Sequence, residues 1–198
     1  GGTYWIDGNF RMTKEIRSRV EKENNQIVLA GEHSCESWLP CIDLFLTLQV
    51  SEERYKNPDG DGWHSIPFFQ AVYHPFAVTY GSYSSLTIPP YDDLWPEKHA
   101  PEQPLKLLPQ KYSQQFYLEQ ARAFTWGMQP TLANVVPNLF TDRPDEMAYV
   151  KKLVNIRERA KKYLLHGTFQ RPPRIETPKI EMDISRLSIY AGRVNGDK

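Results

Sequence analysis

Three polar residues of this sequence lie at the ends of short apolar runs, where an enzyme could use them. Glu32 comes just after Ile27–Ala30, His74 follows the run 66–73, and Asn134 holds the same kind of position in the run 129–136. If the runs are strands of a parallel sheet, their carboxyl ends meet on one rim, where barrel enzymes place their active sites. The spacing therefore predicts that these three residues share a site.

The chemistry that this set favours is hydrolysis of glycosidic bonds, which needs one carboxylic acid with a raised pKa and one ionised carboxylate. Glu32 is the candidate for one of the pair, and Glu36, four residues on, is the candidate partner. Two alternatives stay open for Glu32, a loop anchor paired with an arginine and a solvated group. For Glu36 the favoured alternative is a residue at a helix N-terminus. Asp43 begins the next apolar run, so we expect it on the opposite rim in a structural role.

Sugar hydroxyls are held by amide and imidazole groups, so His74 and Asn134 are also candidates for substrate binding, with hydrogen-bonded loop residues as the alternative. His33, adjacent to Glu32, could orient the carboxylate or contact a hydroxyl. Aromatic rings stack on the C–H faces of sugars. Of five tryptophans, Trp5 and Trp38 are the best placed for that role, although most aromatic side chains are core.

Composition limits the other functions. The 198 residues, 40% hydrophobic, suffice for one domain with a core. Lys+Arg and Asp+Glu are both 24, which gives no sign of a nucleic-acid partner, although a basic stripe on one face could be hidden in a neutral total. The sequence contains no apolar run of 18 residues, so no membrane span is predicted. Cys35 and Cys41 lie six residues apart and could form a bridge, but their spacing matches no zinc or redox pattern and there is no second pair to complete a site, so two free thiols are expected. Phosphate loops, serine-hydrolase elbows and zinc-protease motifs are absent from the sequence, and no metal or cofactor is expected.

The elements that must position these residues alternate between helix and strand. Helices are predicted from Asn9 to about Asn24, at 112–125, and from Thr141 or Asp142 to about Leu165, and strands at 27–30, 42–48, 66–73, 129–136 and 184–190. Residues 75–88 are compatible with a short helix or a loop. This order predicts an α/β fold with a parallel sheet. About four core strands would make half a barrel. The proline-rich stretch 89–109 is expected to be a functional loop.

Several motifs extend along nearly the whole chain: Gly-Gly-Thr-Tyr-Trp at the start, Leu-Ala-Gly-Glu-His, Ile-Asp-Leu-Phe-Leu-Thr, Phe-Phe-Gln-Ala-Val-Tyr-His, Thr-Tyr-Gly-Ser-Tyr and Ala-Arg-Ala-Phe-Thr-Trp-Gly-Met-Gln-Pro. Together they resemble the C-terminal half of a bacterial family of uncharacterised, glycoside-hydrolase-like (β/α)8 barrel proteins, similar in layout to the α-amylase and α-galactosidase groups. The resemblance implies a partial TIM barrel over residues 1–167. It also implies a linker with the first strand of a β-rich domain over 168–198.

The same resemblance implies that further strands, one bearing a catalytic Asp, lie upstream of this chain, which opens without Met. The expected partner is an oligo- or polysaccharide, and a second copy could cover the open sheet edges. Two alternatives to a hydrolase stay open, a non-catalytic carbohydrate-binding or structural module and an inactive barrel fragment. Periplasmic, secreted and cytoplasmic locations are all compatible with the sequence.

Overall fold

The computed structural model describes residues 3–32, 35–47, 50–51, 66–81, 84–87, 106–178 and 180–185. In these residues the chain forms a small parallel sheet of three strands and five α-helices. In chain order the elements are α1 (Thr3–Lys22), β1 (Ala30–Gly31), β2 (Leu44–Leu46), α2 (Phe68–Tyr73), β3 (Val78–Tyr80), α3 (Ser113–Thr125), α4 (Leu139–Asp142) and α5 (Pro144–His166). Short 3-10 turns at Glu36–Trp38 and Gln110–Tyr112 separate them.

The strands lie in the order β1-β2-β3, and both pairs are parallel. Ala30 pairs with Leu44, and Leu44 in turn pairs with Val78. Beyond β3, Gln129 forms one parallel bridge with Tyr80. All three strands therefore end on the same rim, and in the described chain β1 is the edge without a further neighbour.

The prediction of half a (β/α)8 barrel is wrong, since the described sheet is open and has three short strands. The run 129–136 contributes one bridge, at Gln129, instead of a strand. Residues 184 and 185 have no strand structure, and the rest of the predicted strand 184–190 lies outside the described residues. Apolar runs of four to eight residues do not distinguish strands from short buried helical segments. For this reason more strands were predicted from the sequence than the described sheet contains.

The run 66–73 shows the error most clearly, because residues 68–73 form helix α2 instead of a strand. Burial follows the helical period: Phe69 and Gln70 are buried, while Phe68 and Val72 are exposed. A crossover is also required here. Because β2 and β3 are parallel, the chain must return to the starting rim between them, and a helix is the usual connection.

The core of the sheet is aromatic. Phe45 of β2 is fully buried, and its ring centroid lies 5.2 Å from that of Phe69, which contacts Tyr73 at 5.0 Å. A second cluster forms around Phe116 of α3, which packs beside α5. The three predicted helices that correspond to α1, α3 and α5 are confirmed, although α1 begins at Thr3, six residues before the predicted start.

Candidate functional site

A cavity of about 380 Å³ lies between α1 and the β1 edge of the sheet, and two predicted site residues, Glu32 and Trp38, both line it. Glu32 comes directly after β1, so the parallel sheet places it on the carboxyl rim. The remaining lining is mostly apolar: Met12, Ile16, Leu29, Ala30, Ile42 and Phe45, with Asn9 and Thr13 as the polar exceptions. The cavity is therefore an apolar pocket with one carboxylate at its rim.

The carboxylate of Glu32 is available to a ligand. In the described part of the chain it makes no hydrogen bond and no ion pair, and the side chain is exposed. The alternative in which Glu32 anchors a loop through an arginine has no support among these contacts. The polar groups of α1 are already engaged, because Thr13 donates to the Asn9 carbonyl at 2.8 Å and the Asn9 side-chain nitrogen donates to the Trp5 carbonyl at 3.0 Å.

Trp38 ends the 3-10 turn, and the backbone fixes its position. Its carbonyl accepts hydrogen bonds from the backbone N–H groups of Cys41, at 2.9 Å, and of Ile42, at 3.0 Å. The side chain is half-buried, packs against the Phe45 cluster and also lines the cavity. A ring held in this way presents a contact surface with little conformational freedom to lose on binding.

Helix α1 is fastened to the sheet by a small polar network. Arg17 and Asp43 form a salt bridge of 2.8 Å, and Arg17 also donates to the carbonyls of Ile27 and Cys41, both at 3.3 Å. Asp43 accepts a further bond, of 2.9 Å, from the Leu29 N–H. The hydrogen bond with Asp43 raises the pKa of the Arg17 guanidinium, and burial opposes this effect. Asp43 precedes β2 and thus lies on the opposite rim, with the structural role that the sequence indicated.

The other carboxylate candidate does not reach the cavity. Glu36 is the first residue of the 3-10 turn, is exposed, and is absent from the cavity lining, as expected of the helix-terminal alternative. Trp5 lies near the start of α1 with 76% of its surface exposed and also lies outside the lining. His33 falls outside the described residues.

His74 lies on the opposite rim from Glu32, so the expected shared site does not form. It is the C-cap of α2 and precedes β3, whereas the prediction assumed that it followed a strand. The ring is buried beside Gly127 and lines a separate cavity of about 170 Å³. Burial first, and then the charges of Arg157 and His166, lower the pKa of His74, while a hydrogen bond with the backbone of Leu164 acts in the opposite direction.

Asn134 belongs to neither cavity. Its backbone has a φ of +52°, the left-handed region that asparagine tolerates, and its side chain is exposed. Its carbonyl accepts a hydrogen bond from the hydroxyl of Thr87, 3.4 Å away. These features fit the alternative of a hydrogen-bonded turn residue.

Sequence reasoning missed the contribution of α1 to the site. Met12 and Ile16 lie four residues apart on one face of α1, and both line the cavity. Nothing in the sequence points to the roles of Asn9 and Arg17, because these roles depend on how α1 docks on the sheet. No group of three or more His, Cys, Asp or Glu side chains in the described residues is placed to hold a metal ion. Within the same residues, no helix is long and apolar enough to cross a membrane.

Comparison with known proteins bears on the first part of the chain. Residues 1–84 match the family described as "Domain of unknown function (DUF6259)". Searches of curated proteins and of solved structures found no match. The matched range contains α1, β1, β2, α2 and β3 and every residue of the cavity lining, so the site lies within the part of the chain that is similar to this family.

Proposed function

We propose that the protein binds carbohydrate, with one sugar ring in the cavity beside Glu32. The observation that carries this proposal is that Glu32 and Trp38 line one cavity whose other walls are mostly apolar. Ligand sites of this kind combine apolar walls with a few polar groups that orient the ligand, and a volume of about 380 Å³ is within their usual range.

Each side chain has a distinct part in binding a sugar. The C–H face of a pyranose stacks on an indole ring, and Trp38 supplies that surface. Hydroxyl groups donate to a carboxylate, which accepts through two oxygens, and Glu32 has no other partner in the described chain. Hydrogen bonds to a charged acceptor are the stronger ones, so Glu32 would set the orientation of the ring.

Binding is better supported than hydrolysis. Retaining and inverting glycosidases both use two carboxyl groups, about 5 to 10 Å apart, on either side of the scissile bond. In the described lining of the cavity Glu32 is the one acidic residue, since Glu36 lies outside it. Hydrolysis is the second candidate. It is favoured by the position of Glu32 at the carboxyl rim of a parallel sheet, where its carboxylate makes no hydrogen bond or ion pair with the described residues.

Titration calorimetry with a panel of methyl glycosides tests the proposal. We expect binding by the wild type, about tenfold weaker binding by Trp38→Ala, and several-fold weaker binding by Glu32→Gln. Glu36→Gln is the matched control, because it removes a carboxylate four residues away that does not line the cavity. Circular dichroism establishes that each variant is folded. If no glycoside binds, or if Glu36→Gln weakens binding as much as Glu32→Gln, the proposal fails.

Aryl glycosides separate the two candidates. A protein that only binds releases no aryl alcohol. A hydrolase releases it, and Glu32→Gln then lowers the rate at least a hundredfold, which is far more than the several-fold loss of glycoside binding.

A further inference from the structure

The outward face of α5 carries a row of cations that the carbohydrate cavity does not use. This basic face consists of Lys151, Lys152, Asn155, Arg159, Lys162 and Tyr163, all of them exposed. The spacing of these residues places them on one side of the helix, opposite the buried Arg157. At 1.5 Å per residue, the row from Lys151 to Lys162 is about 16 Å long. A neutral total charge thus conceals a basic stripe.

Acidic residues do not neutralise this face. Between residues 147 and 175 the sequence contains one acidic residue, Glu158, which lies beside the row and is 3.8 Å from Lys161. Lys151, Lys152 and Arg159 make no ion pair with any residue that the structure describes. The ammonium of Lys162 lies 4.9 Å from the ring centroid of Tyr163, an arrangement that leaves its charge uncompensated.

Part of the basic face borders an open surface groove of about 400 Å³, which is lined by Lys151, Lys152, Asn155, Arg159, Ala148 and Ile156. Cations grouped on one surface raise the local concentration of an oppositely charged ligand. A ligand for this face is therefore extended and anionic.

We propose that the basic face of α5 binds an acidic polysaccharide. The choice of a polysaccharide among the polyanions rests on the proposed carbohydrate-binding function, whereas the charge argument stands without it. Asn155 supplies an amide among the cations, and Tyr163 supplies a phenol at the end of the row. Both groups suit the hydroxyls that separate the anionic groups of such a chain.

Other polyanions fit less well. A membrane-binding helix presents Trp, Phe or Leu for insertion, and the basic face has none of them. Single-stranded nucleic acid is bound through several stacking aromatic rings, whereas this face offers Tyr163 alone. The chain has no net positive charge, so its other surfaces would not attract a duplex.

The test measures binding of polygalacturonate by calorimetry at low and moderate salt. Two triple variants are compared, each of which loses two lysines and one arginine from an exposed helix surface: K151Q/K152Q/R159Q on α5 and R11Q/K14Q/K22Q on α1. Since an exposed charge contact changes binding about twofold, we expect the α5 variant to bind about eightfold more weakly. The α1 variant should bind within twofold of the wild type. Added salt should weaken the wild type more steeply than the α5 variant.

Several outcomes overturn the proposal. Absence of polygalacturonate binding at low salt does so, as does an equal loss in the two variants. Equal or tighter binding of single-stranded DNA, or of vesicles that contain anionic lipid, would assign the face to another partner. Failure of the carbohydrate cavity is a separate result, because that site is tested with neutral methyl glycosides and with Glu32→Gln, which leave α5 unchanged.

Discussion

The contact between Arg17 and Asp43 should determine how firmly α1 closes the cavity, and a double-mutant cycle can measure it. Both side chains are partly exposed, 30% for Arg17 and 41% for Asp43, so the ion pair itself should contribute about 0.5 to 1 kcal/mol. Asp43→Ala also removes the acceptor of the Leu29 N–H, which must then hydrogen-bond to water. This change lowers the free energy of unfolding by about 1 kcal/mol more. We therefore expect the free energy of unfolding to fall by about 2 kcal/mol in Asp43→Ala and by about 1 kcal/mol in Arg17→Met.

Urea denaturation of the wild type, both single variants and the double variant gives the coupling energy, expected at about 0.5 to 1 kcal/mol. The i,i+4 pair of Arg19 and Glu15 on the same helix, at 2.7 Å but more exposed, is the control, and its coupling should be about 0.3 kcal/mol. Sugar binding should weaken in Asp43→Ala more than in Glu15→Ala, because α1 forms one wall of the cavity. Additive single losses, or equal coupling in the two pairs, would refute this account of how α1 is held.

Three further predictions concern His74 and Gly127, which lie near the opposite rim of the sheet, and Gly8 of α1. Burial and the charge of Arg157 lower the folded-state pKa of His74, so the unfolded chain binds the extra proton more readily. The contribution of His74 to the free energy of unfolding is fully present above about pH 6.5. It is lost as the pH falls toward the lowered folded-state pKa, by at most about 1.4 kcal/mol per pH unit. His74→Gln should flatten urea midpoints measured between pH 7 and pH 5, and an unchanged slope would contradict the assignment. Gly127→Ala should destabilise by about 2 to 4 kcal/mol, because φ is +71° and the new Cβ would lie 2.7 Å from the His74 ring. Gly8→Ala should instead stabilise α1 by about 0.5 to 1 kcal/mol, because the new Cβ would have no atom within 4 Å. Melting-temperature shifts of the same sign and similar size in Gly127→Ala and Gly8→Ala would contradict these predictions.

The helices were predictable because their signals are local. Pro144 in the first turn, acidic residues after it and Gly167 at the end locate α5 to within about three residues. The start of α1 had no such signal. It was predicted at Asn9, six residues after the observed start at Thr3, whereas the helix runs through Gly8 without a break.

The sheet was less predictable because strand identity depends on distant partners. The aromatic, β-branched run that forms α2 has the composition of a strand, and the topology of β2 and β3 decides otherwise. That one error moved His74 to the wrong rim. Glu32 and Trp38, by contrast, are near each other in sequence and do share a cavity, while Asn9 joins them only after α1 docks.

If the protein binds carbohydrate as proposed, a sugar ring occupies the cavity between Glu32 and Trp38. The most direct measurement is a two-dimensional NMR titration of the labelled protein with the methyl glycoside that binds most tightly by calorimetry. We expect saturable shifts of the Trp38 indole N–H and of the Glu32 backbone amide. The indole N–H of Trp5, which lies outside the cavity, should not shift. Shifts confined to other residues, or no saturable shift of Trp38 and Glu32 at any glycoside concentration, would contradict the proposal.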